Sequence, residues 1–225
     1  MHKYLLLFLF FSSFLKLQAQ VKNDTIDSSY LEDQIYVALT YNVLFNKPDG
    51  IEQKGFSGGF SIGFIKDLPF NKQRNLGIGL GVGYNYNAYI QNLKIVGDIN
   101  KTLFELAENY SINRFGISSI EMPFELRWRT STASKYKFWR IYTGVKFSYA
   151  LTTKSKYSDE NSTIRTKNIP DYNKFQYGLV FSGGYSNWNL YLYYGLRPLF
   201  KNNVMFDNQK LRLNEFNLGL KFYIM

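Results

Sequence analysis

Residues 75–87 read NLGIGLGVGYNYN, and from Gly77 to Gly83 every second residue is glycine. Leu76, Ile78, Leu80, Val82, Tyr84 and Tyr86 stand between and beyond them. A period of two is the signature of a β-strand, whose successive side chains point to opposite faces. A helix would scatter the glycines around its circumference. A dinucleotide-binding loop needs a third glycine where Val82 or Tyr84 stands, followed by a helix, and no helical pattern follows. Each glycine inside a regular element is destabilising by about 0.5–1 kcal/mol relative to alanine. Four in a row on one face therefore imply that something bulky lies against that face.

The same alternation recurs seven more times. Ile35 to Phe45 mark a first strand and Phe56 to Phe64 a second, with the glycine-rich stretch third. Ile120 to Trp128 mark the fourth, Trp139 to Leu151 the fifth and Phe175 to Tyr185 the sixth. Trp188 to Leu196 and Phe216 to Ile224 mark the seventh and eighth. Segments of about 9–11 residues cross a bilayer as tilted strands, and eight is the smallest such barrel. The spacing predicts an all-β fold: a closed, antiparallel, up-and-down, eight-stranded transmembrane barrel over residues 34–225. The odd-numbered connections, near 46–54, 91–113, 152–173 and 201–210, are expected to be outer loops. The even ones, near 66–75, 130–137 and 186–187, are expected to be inner turns. The second and third outer connections outlast every inner turn, while the fourth only equals 66–75 and the first is shorter than it.

Trp128, Trp139 and Trp188 then fall at one rim, as an interfacial aromatic girdle requires. The opposite face of the strands carries Glu121, Glu125, Arg127, Arg129, Arg140, Lys146 and Arg197, with Tyr142, Tyr191, Tyr193 and Lys221. The interior of an eight-stranded barrel is just wide enough for side chains to fill it. These residues are expected to form a lumenal ion network with no open pore, the glycines making room for them. A soluble eight-stranded barrel of the lipocalin kind, binding a small apolar ligand, is the rival. It would turn the apolar face inward and the charges outward.

Residues 1–19 have the form of a cleaved secretory signal peptide, with Lys3 before an apolar run that is too short to span a bilayer. Residues 20–33 follow as a periplasmic tail. The chain has no cysteine, which excludes disulfides and thiolate metal sites, and its one histidine is His2 in the leader. A small outer-membrane hydrolase or acyltransferase would lack the usual general base. Glu121 and Glu125 lie about 13 Å apart along one strand, too far for paired-carboxylate hydrolysis. No enzymatic activity, cofactor or metal is expected. The formal charge is +10, but it is spread along strands and loops. Nucleic acid is not an expected partner, and acidic headgroups or polysaccharide suit a basic exterior better. Within 154–171, Lys154, Lys156, Arg165 and Lys167 offer either an anion-binding surface or a solvated loop. Ile99, Leu103, Phe104, Leu106 and Ala107 have near-helical spacing, for a short amphipathic helix or a segment folded over the barrel mouth.

Two stretches carry a family resemblance. Ser119 to Arg127, SIEMPFELR, resembles the E-hydrophobic-P strand of the PorT-like outer-membrane β-barrel domain, and Arg140 to Lys146, RIYTGVK, resembles the glycine-bearing strand that follows it. Phe175–Tyr185 and Tyr194-Gly195-Leu196 continue the order. Asn217, Gly219, Phe222 and Ile224 resemble the terminal signal read by the barrel-assembly machinery, with Met225 as a departure at the end. The resemblance implies outer-membrane lipid around the barrel, periplasmic N- and C-termini, and recognition by that machinery. It also implies an accessory or structural role linked to type IX secretion and gliding components. Asp24-Thr25-Ile26 resembles a periplasmic O-glycosylation site of bacteria that carry this family.

Overall fold

A computed structural model describes residues 33–71, 73–97, 102–130 and 138–224. The leader, the tail to residue 32 with its glycosylation-like triplet, and Ile99 lie outside the described residues. Thirteen strands form among those described. They are β1 (Gln34–Phe45), β2 (Gly58–Pro69), β3 (Leu76–Ile90), β4 (Leu93–Gly97), β5 (Thr102–Leu106), β6 (Ile112–Arg129) and β7 (Trp139–Ser158). β8 (Thr163–Lys167), β9 (Phe175–Tyr185), β10 (Trp188–Gly195), β11 (Met205–Phe206), β12 (Gln209–Lys210) and β13 (Asn214–Ile224) complete them.

Eight of these close a ring in the order β1-β2-β3-β6-β7-β9-β10-β13, and β13 returns to pair with β1. Every pairing is antiparallel, and all but the closing one join barrel strands that follow one another along the chain. This is the closed eight-stranded barrel that the alternation predicts. With the strand ends observed, the connections 46–57, 91–111, 159–174 and 196–213 all outlast 70–75, 130–138 and 186–187. One end of the barrel is therefore a loop end, and the other is a turn end.

The two faces are opposite to those of a soluble protein. Leu39, Val82, Met122, Leu126, Leu151, Leu179 and Ile224 stand half-exposed on the outside. Glu121, Glu125, Arg127, Lys146 and Lys221 are buried inside. A lipocalin-like binder requires the reverse, so that alternative is overturned. The apolar exterior is the arrangement that a bilayer solvates.

Two local irregularities have visible causes. Pro123 sits in mid-strand without an N–H. The β3–β6 ladder is interrupted beside it, between the pairs Leu80↔Phe124 and Gly83↔Glu121. Further along, Ser118 faces Thr152 while Ser119 faces Ala150, so Leu151 is an extra residue. A bulge of this kind switches which residues of a strand face outward. Beyond it Thr153 and Ser155 are buried, and Lys154 turns to the outside.

The loop end carries a second apolar cluster of its own. Leu44, Tyr89, Leu93, Ile95, Phe115, Ile169, Tyr172, Leu199, Phe200 and Leu213 are buried together there. Phe200 meets Phe104 at 5.0 Å and Phe115 at 5.8 Å between ring centres. Among the described residues of this region no helix forms. Thr102–Leu106 is a strand paired with Leu93–Gly97. A segment this short cannot sustain an isolated helix, and the neighbouring LKIVG sequence, with Ile95 and Val96, supplies a β partner.

Candidate functional site: the ionic lumen and its cap

The lumen is built in tiers. At the turn end Arg127 donates to Asp67 Oδ1 at 3.1 Å, to Gln34 Oε1 at 2.9 Å and to Glu125 Oε2 at 3.3 Å. Arg129 donates to Asp67 Oδ2 at 2.7 Å and to the Arg74 carbonyl at 2.8 Å. Asp67 thus holds two guanidinium groups at once. Above this tier Lys221 meets Glu125 Oε1 at 2.9 Å, and Lys146 meets Glu121 Oε2 at 2.9 Å. The Tyr36 hydroxyl donates to Glu121 Oε1 at 2.6 Å. Nearer the loop end Glu215 accepts hydrogen bonds from the Tyr89 hydroxyl and Asn87 Nδ2.

Aromatic rings complete the packing around the cations. Arg127 lies 4.5 Å from the Tyr142 ring centre, Lys221 lies 4.3 Å from Tyr36, and Lys146 lies 4.1 Å from Tyr193. Cations over ring faces are stabilised by the ring quadrupole, more strongly when desolvated. A polar pocket of about 10 Å³ lined by Asn85, Lys146, Gln176 and Glu215 has room for about one water molecule. The cap of loop residues covers the lumen above Glu215.

The glycine row meets these groups directly. A carbon added at Gly79 would lie 2.5 Å from Arg127 Nε, and one at Gly83 would strike the Tyr36 hydroxyl. Bare backbone on β3 is what allows Arg127 and Tyr36 to reach across the barrel.

Of the residues expected in the network, Glu121, Glu125, Arg127, Arg129 and Lys146 are brought together. Arg197 is not. β10 ends at Gly195, and Arg197 lies in the following connection, bonded to the Phe175 carbonyl and Asn173 Oδ1. Arg140 is fully buried but makes no ion pair among the described residues. Its guanidinium lies 4.5 Å from the Phe138 ring centre. Asp67 and Gln34 are members that the sequence reading missed. Extending the alternation of β2 past Phe64 would have turned Asp67 inward, opposite Gly79.

Trp128, Trp139 and Trp188 project outward at the turn end. Trp139 and Trp188 flank Tyr185 from β7 and β10, and Trp128 faces Ile141 two residues further along. Asn217, Gly219, Phe222 and Ile224 lie on the closing strand β13, with Asn217 buried in the lumen. Outside the strands Asp33 accepts from Lys66 Nζ at 2.6 Å and from the Asp67 amide. Partial burial pushes its carboxyl up, but these two partners outweigh that and hold it below the usual carboxylate range. Among the described residues no group of three His, Cys, Asp or Glu is placed to hold a metal.

The sequence matches the profile described as "Outer membrane protein beta-barrel domain" over residues 18–201. No curated protein matches it. Among solved structures it is similar to Ail, the attachment invasion locus protein of Yersinia pestis. That alignment has 14% identity and a TM-score of 0.37, and it covers 85% of this chain and 97% of that one. It is also aligned with a triple mutant of the Rhodopseudomonas blastica porin, at 9% identity and a TM-score of 0.22, over 87% of this chain and 100% of that one. Likenesses this low carry no argument about function.

Proposed function

The chain belongs to the outer membrane protein beta-barrel domain family, and on that premise we propose that it is a non-enzymatic, plugged barrel. It acts as a structural or accessory component at the cell surface rather than as a channel. The turn end, with both termini, faces the periplasm, and the capped loop end faces outward. The tryptophans mark the inner interface, and the closing strand carries the assembly signal at Asn217, Gly219, Phe222 and Ile224. The finer reading links the barrel to a type IX secretion or gliding apparatus. It rests on the PorT-like order of the SIEMPFELR and RIYTGVK strands.

One observation carries the plugged-barrel reading. Glu125 is paired with Lys221 from across the lumen, Glu121 with Lys146 from the neighbouring strand, and Asp67 clamps two arginines below them. Buried charges in such number require partners, and these partners occupy the space that a pore would need. Function is then left to the loops and turns.

The test is a crosslinked pull-down of the tagged protein from detergent-solubilised outer membranes, with heat-shift electrophoresis on the same sample. Specific secretion or gliding partners with a heat-shifted band support the accessory role. A heat-shifted band without partners removes the secretion link and leaves a stand-alone barrel. Steady single-channel conductance of the purified protein in planar bilayers would refute the plug.

A further inference from the structure

Beyond the bulge at Leu151, β6, β7 and β8 continue as a three-stranded ribbon above the apolar band. Its outward face is cationic. Arg114 is directly opposite Lys156, Lys156 is opposite Arg165, and Lys154 is opposite Lys167. Like charges directly opposite across strands are destabilising. No carboxylate of the described residues forms a salt bridge with any of the five. They surround a cleft of about 230 Å³ whose wall includes Tyr86. Arg114 is held against that ring and donates to its hydroxyl at 2.9 Å.

A second concavity adjoins the first and shares Tyr86 and Arg114 with it. It is a groove of about 520 Å³ lined by Phe56, Gly58, Phe60, Ala88 and Ile90. Small residues on β2 and β3 form its floor, and Phe56 and Phe60 are exposed at its edge. The groove lies on the outside of the barrel and runs into the apolar band at Leu39. Concentrated positive charge next to a lipid-facing apolar trough is complementary to one kind of molecule, an acylated lipid with phosphate on its headgroup. A soluble anion would have no use for the groove, and a neutral lipid would have none for the five cations.

We propose that this face is a binding site for a phosphorylated, acylated lipid of the surrounding membrane. The phosphates are held by Arg114, Lys154, Lys156, Arg165 and Lys167, and one acyl chain lies in the Phe56–Ala88 groove. Arg and Lys together provide forked and point-charge donors for phosphate oxygens. The inference goes beyond the reading above and does not depend on membrane orientation, a secretion link or any protein partner.

The test is native mass spectrometry of the full chain refolded in detergent and supplied with bisphosphorylated lipid A, with the same lipid dephosphorylated, or with inorganic phosphate. The expected result is a retained lipid A adduct and at least tenfold weaker retention of the dephosphorylated form. The triple change Lys154→Gln, Lys156→Gln and Arg165→Gln should weaken lipid A retention at least tenfold. The exposed Lys201→Gln, Lys210→Gln and Arg212→Gln set, which removes the same charge elsewhere, should leave it unchanged. A heat-shifted band establishes that each variant is folded, and Lys154→Arg with Lys156→Arg should restore binding if folding is the difficulty. Ala88→Trp fills the groove without changing charge and should release the lipid. Equal retention by the two triple variants would overturn the site. Retention unaffected by Ala88→Trp, with inorganic phosphate bound as well as lipid A, would replace the lipid with a soluble anion and overturn the proposal.

Discussion

Lys146 and Glu121 form a pair whose side chains are 4% and 3% exposed, at 2.9 Å. Removing one member leaves the other charged and desolvated, which is destabilising by about 3–5 kcal/mol. Replacing both with apolar groups of similar volume is often neutral. Lys146→Met should therefore lower the unfolding free energy by about 3–5 kcal/mol, or about two to three and a half powers of ten in the folding equilibrium. Glu121→Gln keeps an acceptor for the Tyr36 hydroxyl but strands Lys146, and should fall in the same range. The double variant Lys146→Met with Glu121→Leu should recover all but about 1–2 kcal/mol, the remainder being the lost Tyr36 hydrogen bond. The assay is reversible urea unfolding in lipid vesicles followed by tryptophan fluorescence, with the denaturant slope required to stay constant. Single variants that lose less than about 1 kcal/mol would mean that water reaches this tier, and the plug would have to be abandoned as an explanation.

Three further outcomes follow from the same geometry. Gly79→Ala forces Arg127 off its line to Asp67 and should be destabilising by about 1–3 kcal/mol by overpacking, whereas Gly195→Ala, with its new carbon 3.4 Å from Glu215, should be tolerated in the same urea assay. Phe200→Ala removes the ring at the centre of the cap, a loss of about 3–5 kcal/mol local to the loops, so limited proteolysis should cut 91–111 and 159–174 faster while the barrel keeps its heat shift. Asp33 has a carboxyl held below its ordinary value of 3.8, so its contribution to stability is fully present above that pH and is lost as the pH falls below it; Asp33→Asn should remove this part of the acid dependence in a thermal-melt series and leave neutral-pH titration unchanged.

The eight barrel strands were legible because their outward faces repeat at period two against lipid, the strongest pattern a sequence offers a β fold. The lumenal tier was legible only in part, because alternation gives the direction of a side chain and not its height. It turned Glu121, Glu125 and Lys146 inward correctly. It also turned Arg197 inward, where the strand had already ended at Gly195. Asp67 escaped notice because Leu68, Pro69 and the polar residues after them look like a turn, yet the ladder to β3 runs on to Pro69↔Gly77. The cap was less legible still. Leu103, Phe104, Leu106 and Ala107 suggest a helix when read alone, and only the pairing with Leu93–Gly97 selects a strand. The bulge at Leu151 left no mark in the alternation, so the outward turn of Lys154 and Lys156 became visible only from the register.

The closing seam has a consequence for how the chain reaches this state. Residues 35–45 meet residues 214–224, the widest sequence separation in the barrel, so this contact forms against the largest loop entropy and late in folding. The last strand brings Lys221 to Glu125 and the Tyr223 ring to Arg127. Until it docks, the open sheet holds Glu125 without its lysine and offers two unpaired edges to the bilayer. Hydrogen bonding and charge neutralisation are therefore completed in one step. A chain that stalls before that step is an incompletely neutralised sheet that the membrane core does not tolerate, which makes closure of the ring a checkpoint on everything assembled before it.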